Sequence, residues 1–157
     1  LTKEPMSKTM AENILHLNKR GEAKSWVRTA TASLYDQDIH GKEISKFAKN
    51  FKLLDSHFEK LFKRYGKLQP TKNRHFVSTW GHLVGGYDGR YYSYVASRVY
   101  AQDMWFEFSK NGIKKGRISE KYKAMLEAAN KRPEKTLVKE FLGRPVSQKP
   151  FLDFLGK

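Results

Sequence analysis

Apolar positions recur at steps of three and four through most of the chain, the spacing of one face of an α-helix. Met6, Met10, Ile14 and Leu17 predict a first helix that opens near Pro5 and ends at Gly21. Ala23, Trp26, Val27, Ala30 and Leu34 predict a second, closed near Gly41. Ile44, Phe47, Phe51, Leu54, Phe58, Leu61 and Tyr65 are spaced 3-4-3-4-3-4 and predict one long helix, with lysines on its other faces. Gly66 is expected to end it and Pro70 to prevent its continuation. A stripe this regular also asks for a partner surface, part of which is expected upstream of the segment.

Residues 66–90 read as irregular, with glycines at 66, 81, 85, 86 and 89. Helical spacing resumes from Tyr91 to about Lys110 and stops at Asn111-Gly112. Ser119 and Glu120 predict the start of a helix carrying Tyr122, Met125, Leu126 and Ala129. Pro133 predicts the first turn of another, with Leu137, Val138, Phe141 and Leu142 before a Gly143 cap. Phe151, Leu152 and Leu155 suggest a last short helix. The expected fold is all-α, a single helical region over 1–157 with one Gly-rich loop.

Composition narrows the function classes. The 157 residues include no cysteine, so disulfides are excluded and a metal site would need His, Asp or Glu. No apolar run reaches the roughly 18 residues of a membrane-spanning helix. Lys and Arg number 31 against 16 Asp and Glu, a net charge of +15. That excess sits in 42–74 (ten basic, three acidic) and 109–157 (thirteen basic, five acidic), while 75–108 carries two basic and three acidic residues. A basic surface can attract nucleic acid, although lysines alternating with apolar helix positions are also what any solvated face shows. The chain opens on Leu1, from which a processed product or part of a longer protein is expected.

The chemistry concentrates in the near-neutral stretch, in Trp80-Gly81-His82-Leu83-Val84-Gly85-Gly86-Tyr87-Asp88-Gly89-Arg90-Tyr91-Tyr92-Ser93-Tyr94. Gly85, Gly86 and Gly89 permit backbone conformations and close approaches closed to other residues. His82 can donate or accept a hydrogen bond near neutral pH, and Tyr87, Tyr91 and Tyr94 offer phenolic donors. Phenols on a movable loop can close over a peptide and donate to a carbonyl oxygen that gains charge under attack. Neither the dinucleotide fingerprint G-x-G-x-x-G nor the phosphate loop G-x-x-x-x-G-K-[ST] occurs.

Gly81 to Tyr87, followed by Tyr91-Tyr92-Ser93-Tyr94, closely resembles a signature of the thimet oligopeptidase family of zinc metallopeptidases, which includes oligopeptidase A, dipeptidyl carboxypeptidase and mitochondrial intermediate peptidase. The likeness runs on through Ser97-Arg98-Val99, Asp103-Met104-Trp105, Tyr122 to Leu126, Phe141-Leu142-Gly143-Arg144-Pro145 and Phe151-Leu152. Upstream, Glu4-Pro5 and the Asp36 to Gly41 stretch are similar to the helices that follow the family's metal site. Where the family has a Gly-Gly-Ser-like break this chain has Ala129-Asn130-Lys131.

The resemblance implies the helical C-terminal portion of a metallopeptidase catalytic domain. It implies that Tyr87 and Tyr94 contact substrate and stabilise the oxyanion, and that His82 hydrogen-bonds the peptide backbone. Tyr91 becomes a further cleft contact, and Gly85, Gly86 and Gly89 the hinges of a substrate-binding cover. Zinc in the complete enzyme is implied too, held by a His-Glu-x-x-His helix and a later glutamate. None of His16, His40, His57, His75 and His82 begins that motif, so this chain alone is expected to bind no zinc and to be inactive alone. The expected partners are a short peptide and the upstream part of the catalytic domain, with no membrane. The alternative is a non-catalytic, basic structural or RNA-binding subunit, for example in a mitochondrial ribonucleoprotein. The expected compartment is cytoplasm or mitochondrial matrix.

Overall fold

In the computed structural model, which describes residues 4–41, 44–67, 71, 75–113 and 116–156 (the side chains of 19 and 20 excepted), every regular element among the described residues is helical. The backbone divides into two compact units, 1–94 and 95–157.

Unit 1 is organised on α1 (Lys8–His40), which corrects the expectation of two helices meeting at Gly21. An internal glycine costs a helix only about 1 kcal/mol, less than its many Ala, Lys, Arg, Glu and Leu neighbours recover. Just beyond it Trp26 donates its indole N–H to Glu22 at 2.8 Å, one turn back. Pro5 lies before the helix, and the cap is Ser7, whose hydroxyl accepts from the Met10 amide at 3.3 Å. The predicted stripe of Met10, Ile14 and Leu17 is exposed.

The second half of α1 is the buried half. Thr31, Ala32, Ser33, Tyr35 and Asp36 are all buried, and the Thr31 and Ser33 hydroxyls donate to carbonyls one turn back, at 2.8 Å each. Small side chains here let α3 (Phe51–Gly66) pack closely; Phe58 meets Tyr35 edge to face with centroids 5.2 Å apart.

The long helix expected over Ile44 to Tyr65 is broken in the structure. The short α2 (Ile44–Phe47) ends before Asn50, whose side chain caps α3 by accepting from the Leu53 amide at 3.0 Å. Phe47 is buried, whereas Phe51, next in the stripe, is 83% exposed. A cap residue in mid-pattern outweighs apolar period. Gly66 does end α3, with Lys67 beyond it in the left-handed region; Pro70 lies outside the described residues. Lys46, Lys49, Lys52, Lys60 and Lys63 stand exposed.

The stretch expected to be irregular contains a short helix, α4 (Phe76–Thr79), and a 3-10 turn at Gly81–Leu83. These bring Phe76, Trp80 and Leu83 onto the α1–α3 core with Phe47, Phe58 and Tyr35. Tyr35 is wholly buried and its hydroxyl meets no partner among the described residues. Burial foremost, with the charge of Asp55 behind it, pushes its phenol well above the usual value. Replacing Tyr35 by Phe removes an unpaired buried donor, so the expected result is a gain of about 1 kcal/mol in urea denaturation. A loss of that size would show that the hydroxyl is hydrogen-bonded.

Helix α5 (Ser93–Asn111) begins at the end of unit 1 and continues into unit 2. Unit 2 adds α6 (Arg117–Glu127), α7 (Glu134–Leu142) and α8 (Lys149–Phe154). Ser119 does not cap α6; its hydroxyl donates to the Ile113 carbonyl at 3.1 Å, and the helix starts two residues earlier behind Gly116. Pro133 is the cap residue of α7, one place before the first turn expected of it. Gly143 closes α7 in the left-handed conformation, as expected. At the Ala129-Asn130-Lys131 departure Asn130 has φ 63°, a conformation asparagine tolerates better than most residues. The core joins Ile118, Phe141 and Leu142 with Phe108, whose ring meets Tyr122 edge to face at 5.4 Å.

Asp103, on α5, is fully buried. Arg144 donates to both its oxygens at 2.7 Å and to Glu107 at 2.9 Å, and the Ser147 amide donates at 2.7 Å. The turn after α7 is thereby tied to the middle of α5.

Candidate functional site

The loop from Trp80 to Tyr94 lies wholly in unit 1 and brings together the four side chains singled out from the sequence. Trp80 and Leu83 are its buried anchors; the Trp80 ring meets Tyr91 edge to face at 4.6 Å. Between those anchors the 3-10 turn leaves His82 exposed. Around it stand Tyr87 and Tyr91 with centroids 5.4 Å away and Tyr94 at 6.0 Å, inclined to the imidazole by 62°, 79° and 76° respectively. The Tyr87 and Tyr94 rings stack at 5.5 Å, and Tyr91 lies 5.0 Å from Tyr94. Tyr91 reaches this position from the turn before α5 rather than from within the helix.

Polar groups converge at one open edge of the array. The Tyr94 hydroxyl lies 3.5 Å from His82 Nε2, a long contact whose direction follows the imidazole tautomer. Hydrogen bonding with Tyr87 first, then desolvation and the neighbouring phenols of Tyr87 and Tyr91, holds the Tyr94 phenol above its ordinary value of about 10. It therefore keeps its donor proton through neutral and mildly alkaline pH. Tyr87 and Tyr94 are each 39% exposed, which leaves them open to a ligand.

Two glycines have a visible steric reason. A Cβ on Gly85 would stand 2.8 Å from the Gly81 carbonyl oxygen, so the chain could not fold back on the 3-10 turn. Gly89 has φ 67°, where a side chain is strained, although a Cβ there would meet His40 only at ordinary contact distance. Gly86 also has positive φ but faces open space.

Three residues missed in the sequence hold the loop. Asp36, buried on α1, accepts from the Gly89 amide at 3.1 Å and the Tyr91 amide at 2.9 Å, and pairs with His40 Nδ1 at 2.9 Å. Gln37 donates its side-chain amide to the Gly89 carbonyl. Asp-x-x-x-His one helical turn apart was visible, but its partners lie 53 and 55 residues away.

On the other side of the 3-10 turn, Gly81, Leu83 and Val84 help line an apolar cleft of about 790 Å³ with Ile39, Phe47 and Phe51.

A zinc site does not fit these residues. Among the described residues no three His, Asp or Glu side chains converge. The histidines His40, His57 and His75 each pair with one carboxylate, of Asp36, Asp38 and Asp55 respectively, and Asp36 is already occupied by backbone amides. No helix among the described residues is long and apolar enough to cross a membrane.

The chain is 22% identical over 148 residues to the thimet-like oligopeptidase of Dictyostelium discoideum, an alignment covering 94% of this chain and 21% of that protein. The chain thus spans about a fifth of the length of that curated relative. The sequence model of Peptidase family M3 matches residues 1–157, the whole chain, and the chain belongs to that family.

Proposed function

We propose that this chain is the substrate-facing part of a metallo-oligopeptidase site, which binds short, unfolded peptides through His82, Tyr87, Tyr91 and Tyr94. The observation that carries the reading is the convergence of one imidazole and three phenols on an exposed, glycine-hinged loop. Apolar ring faces flank the peptide, and the phenolic edges supply donors for its carbonyl oxygens. Tyr94, kept protonated, is the donor for the oxygen that becomes negative during hydrolysis. His82 bonds the neighbouring peptide group. Gly85 and Gly86 let the loop close behind the substrate, while Gly89 is the point at which it is anchored to α1. Zinc in the complete enzyme and the group that activates water belong, on this reading, to another part of the catalytic domain. The isolated chain binds peptide without cutting it.

Titrating an unstructured peptide of about ten residues into the chain, followed by the NMR signals of the tyrosine rings, tests this. Saturable shifts confined to Tyr87, Tyr91, Tyr94 and His82 are expected. The reading fails if the peptide leaves those signals unmoved. It fails equally if a single-stranded RNA binds instead, with the steep salt dependence of phosphate neutralisation.

A further inference from the structure

We propose that Asp36 is a positioning residue for the aromatic array, fixing from α1 the geometry of phenols that it does not itself touch. A carboxylate buried four residues before the end of α1, where the helix dipole disfavours negative charge, has no helical reason to be there, and desolvating it is costly unless hydrogen bonds replace water. Here they do. One oxygen takes the Gly89 amide and His40, and the other takes the Tyr91 amide. Both captured amides lie between Tyr87 and Tyr94. They belong to a run of tight turns in which the Arg90 amide donates to the Tyr87 carbonyl at 2.7 Å and the Tyr94 amide to the Tyr91 carbonyl at 3.2 Å. Fixing residues 89 and 91 therefore fixes where all three rings stand.

The other contacts serve the same end. His40 steadies the carboxylate at 2.9 Å, and its Cβ is 3.7 Å from where a Gly89 side chain would begin. Gln37 holds the next peptide unit, donating to the Gly89 carbonyl, so Gly89 is held on both sides. Buried charge is a poor source of net stability compared with apolar packing, but it is exacting about geometry. What the array does rests on the peptide-site reading; how it is held does not.

Asp36→Asn keeps the volume and removes the charge, and turns an amide N–H₂ toward at least one of the backbone donors. The His82 ring protons report the array directly, because three tyrosine rings surround them and displace their NMR shifts from those of free histidine. In Asp36→Asn that displacement should fall by at least about half, while the signals of Phe58 and Phe76 in the core hold. Gln37→Ala, at an exposed position, should relax it in the same direction by less. A folded Asp36→Asn protein with unchanged His82 shifts overturns the inference. If Asp36→Asn does not fold, unchanged shifts in Gln37→Ala do so, as does a wild-type His82 that resembles free histidine. Peptide titration separates the two readings, with affinity expected to fall about tenfold in Asp36→Asn as preorganisation is lost. Relaxed His82 shifts with no peptide binding in the wild type sink the peptide site alone. Peptide binding with unmoved His82 shifts sinks the positioning role alone.

Discussion

Arg144→Ala should destabilise unit 2 by about 2–4 kcal/mol, among the largest losses expected from one substitution in this chain. Asp103 is fully buried, and three of its hydrogen bonds come from Arg144 and the Ser147 amide. Removing the guanidinium leaves a charge in the interior with one amide to answer it. Arg144 is itself 36% exposed, so water can follow the shortened side chain inward, and the loss stays below that of a fully enclosed pair. Glu107 adds to the loss only weakly, being more accessible.

The sign of the pH dependence follows from Asp103. Burial alone would raise its pKa, but the Arg144 hydrogen bonds, the Ser147 amide and the positive charges of Arg144 and Lys110 outweigh it and hold the carboxyl below the usual range. A depressed pKa contributes stability that is present above the unfolded value of about 3.9 and disappears as pH falls through the folded value. Wild type should therefore lose stability to acid over that window, and Arg144→Ala should lose less because it has less to lose. Pairing Arg144→Met with Asp103→Asn should recover more than half of the loss, since both charges go together. Urea denaturation of the three proteins across the acid range measures all of this. A change below about 0.5 kcal/mol in Arg144→Ala would mean that the network is ornamental.

The same network shows where reading the sequence stops. Helices α5, α7 and α8 and the end of α3 were legible because their apolar period coincides with local punctuation such as Gly66, Asn111-Gly112 and Gly143. Punctuation misled where its local cost was small, at Gly21, and was overlooked where it was decisive, at Asn50. The aromatic site was legible because residue types carry their chemistry with them, and the four side chains lie within 13 residues of one another. Asp36 and Asp103 were not. Their roles depend on amides and a guanidinium 41 to 55 residues away, and no local period encodes that. Both lay within stretches that resembled the peptidase family, yet similarity of a stretch assigns no partner to a buried carboxylate. Exposure was equally illegible, for the Met10–Ile14–Leu17 stripe is helical and yet stands exposed.

Tyr94→Phe, made in a peptidase that contains this segment, should lower kcat about 10²–10³-fold while KM changes by only a few fold. The ring would stay, stacked on Tyr87 at 5.5 Å and beside Tyr91 at 5.0 Å, so the surface proposed to hold a peptide is preserved. What goes is one O–H donor, and a donor matters most where charge develops. A ground-state carbonyl is a modest acceptor, whereas the oxyanion formed from it is a strong one, so the missing bond is felt at the transition state. Tyr87→Phe should cost less, its hydroxyl being, on the proposed reading, a second donor to the same oxygen from the ring stacked on Tyr94. The double variant should then lose far less than the product of the two single losses, as groups acting on one atom do. The alkaline limit is a second check. With its phenol held above the ordinary value of about 10, Tyr94 should impose no decline in kcat until the pH passes that value. Equal losses in kcat and 1/KM for Tyr94→Phe would reduce Tyr94 to a binding contact. Strictly multiplicative losses in the double variant would place the two phenols on different oxygens.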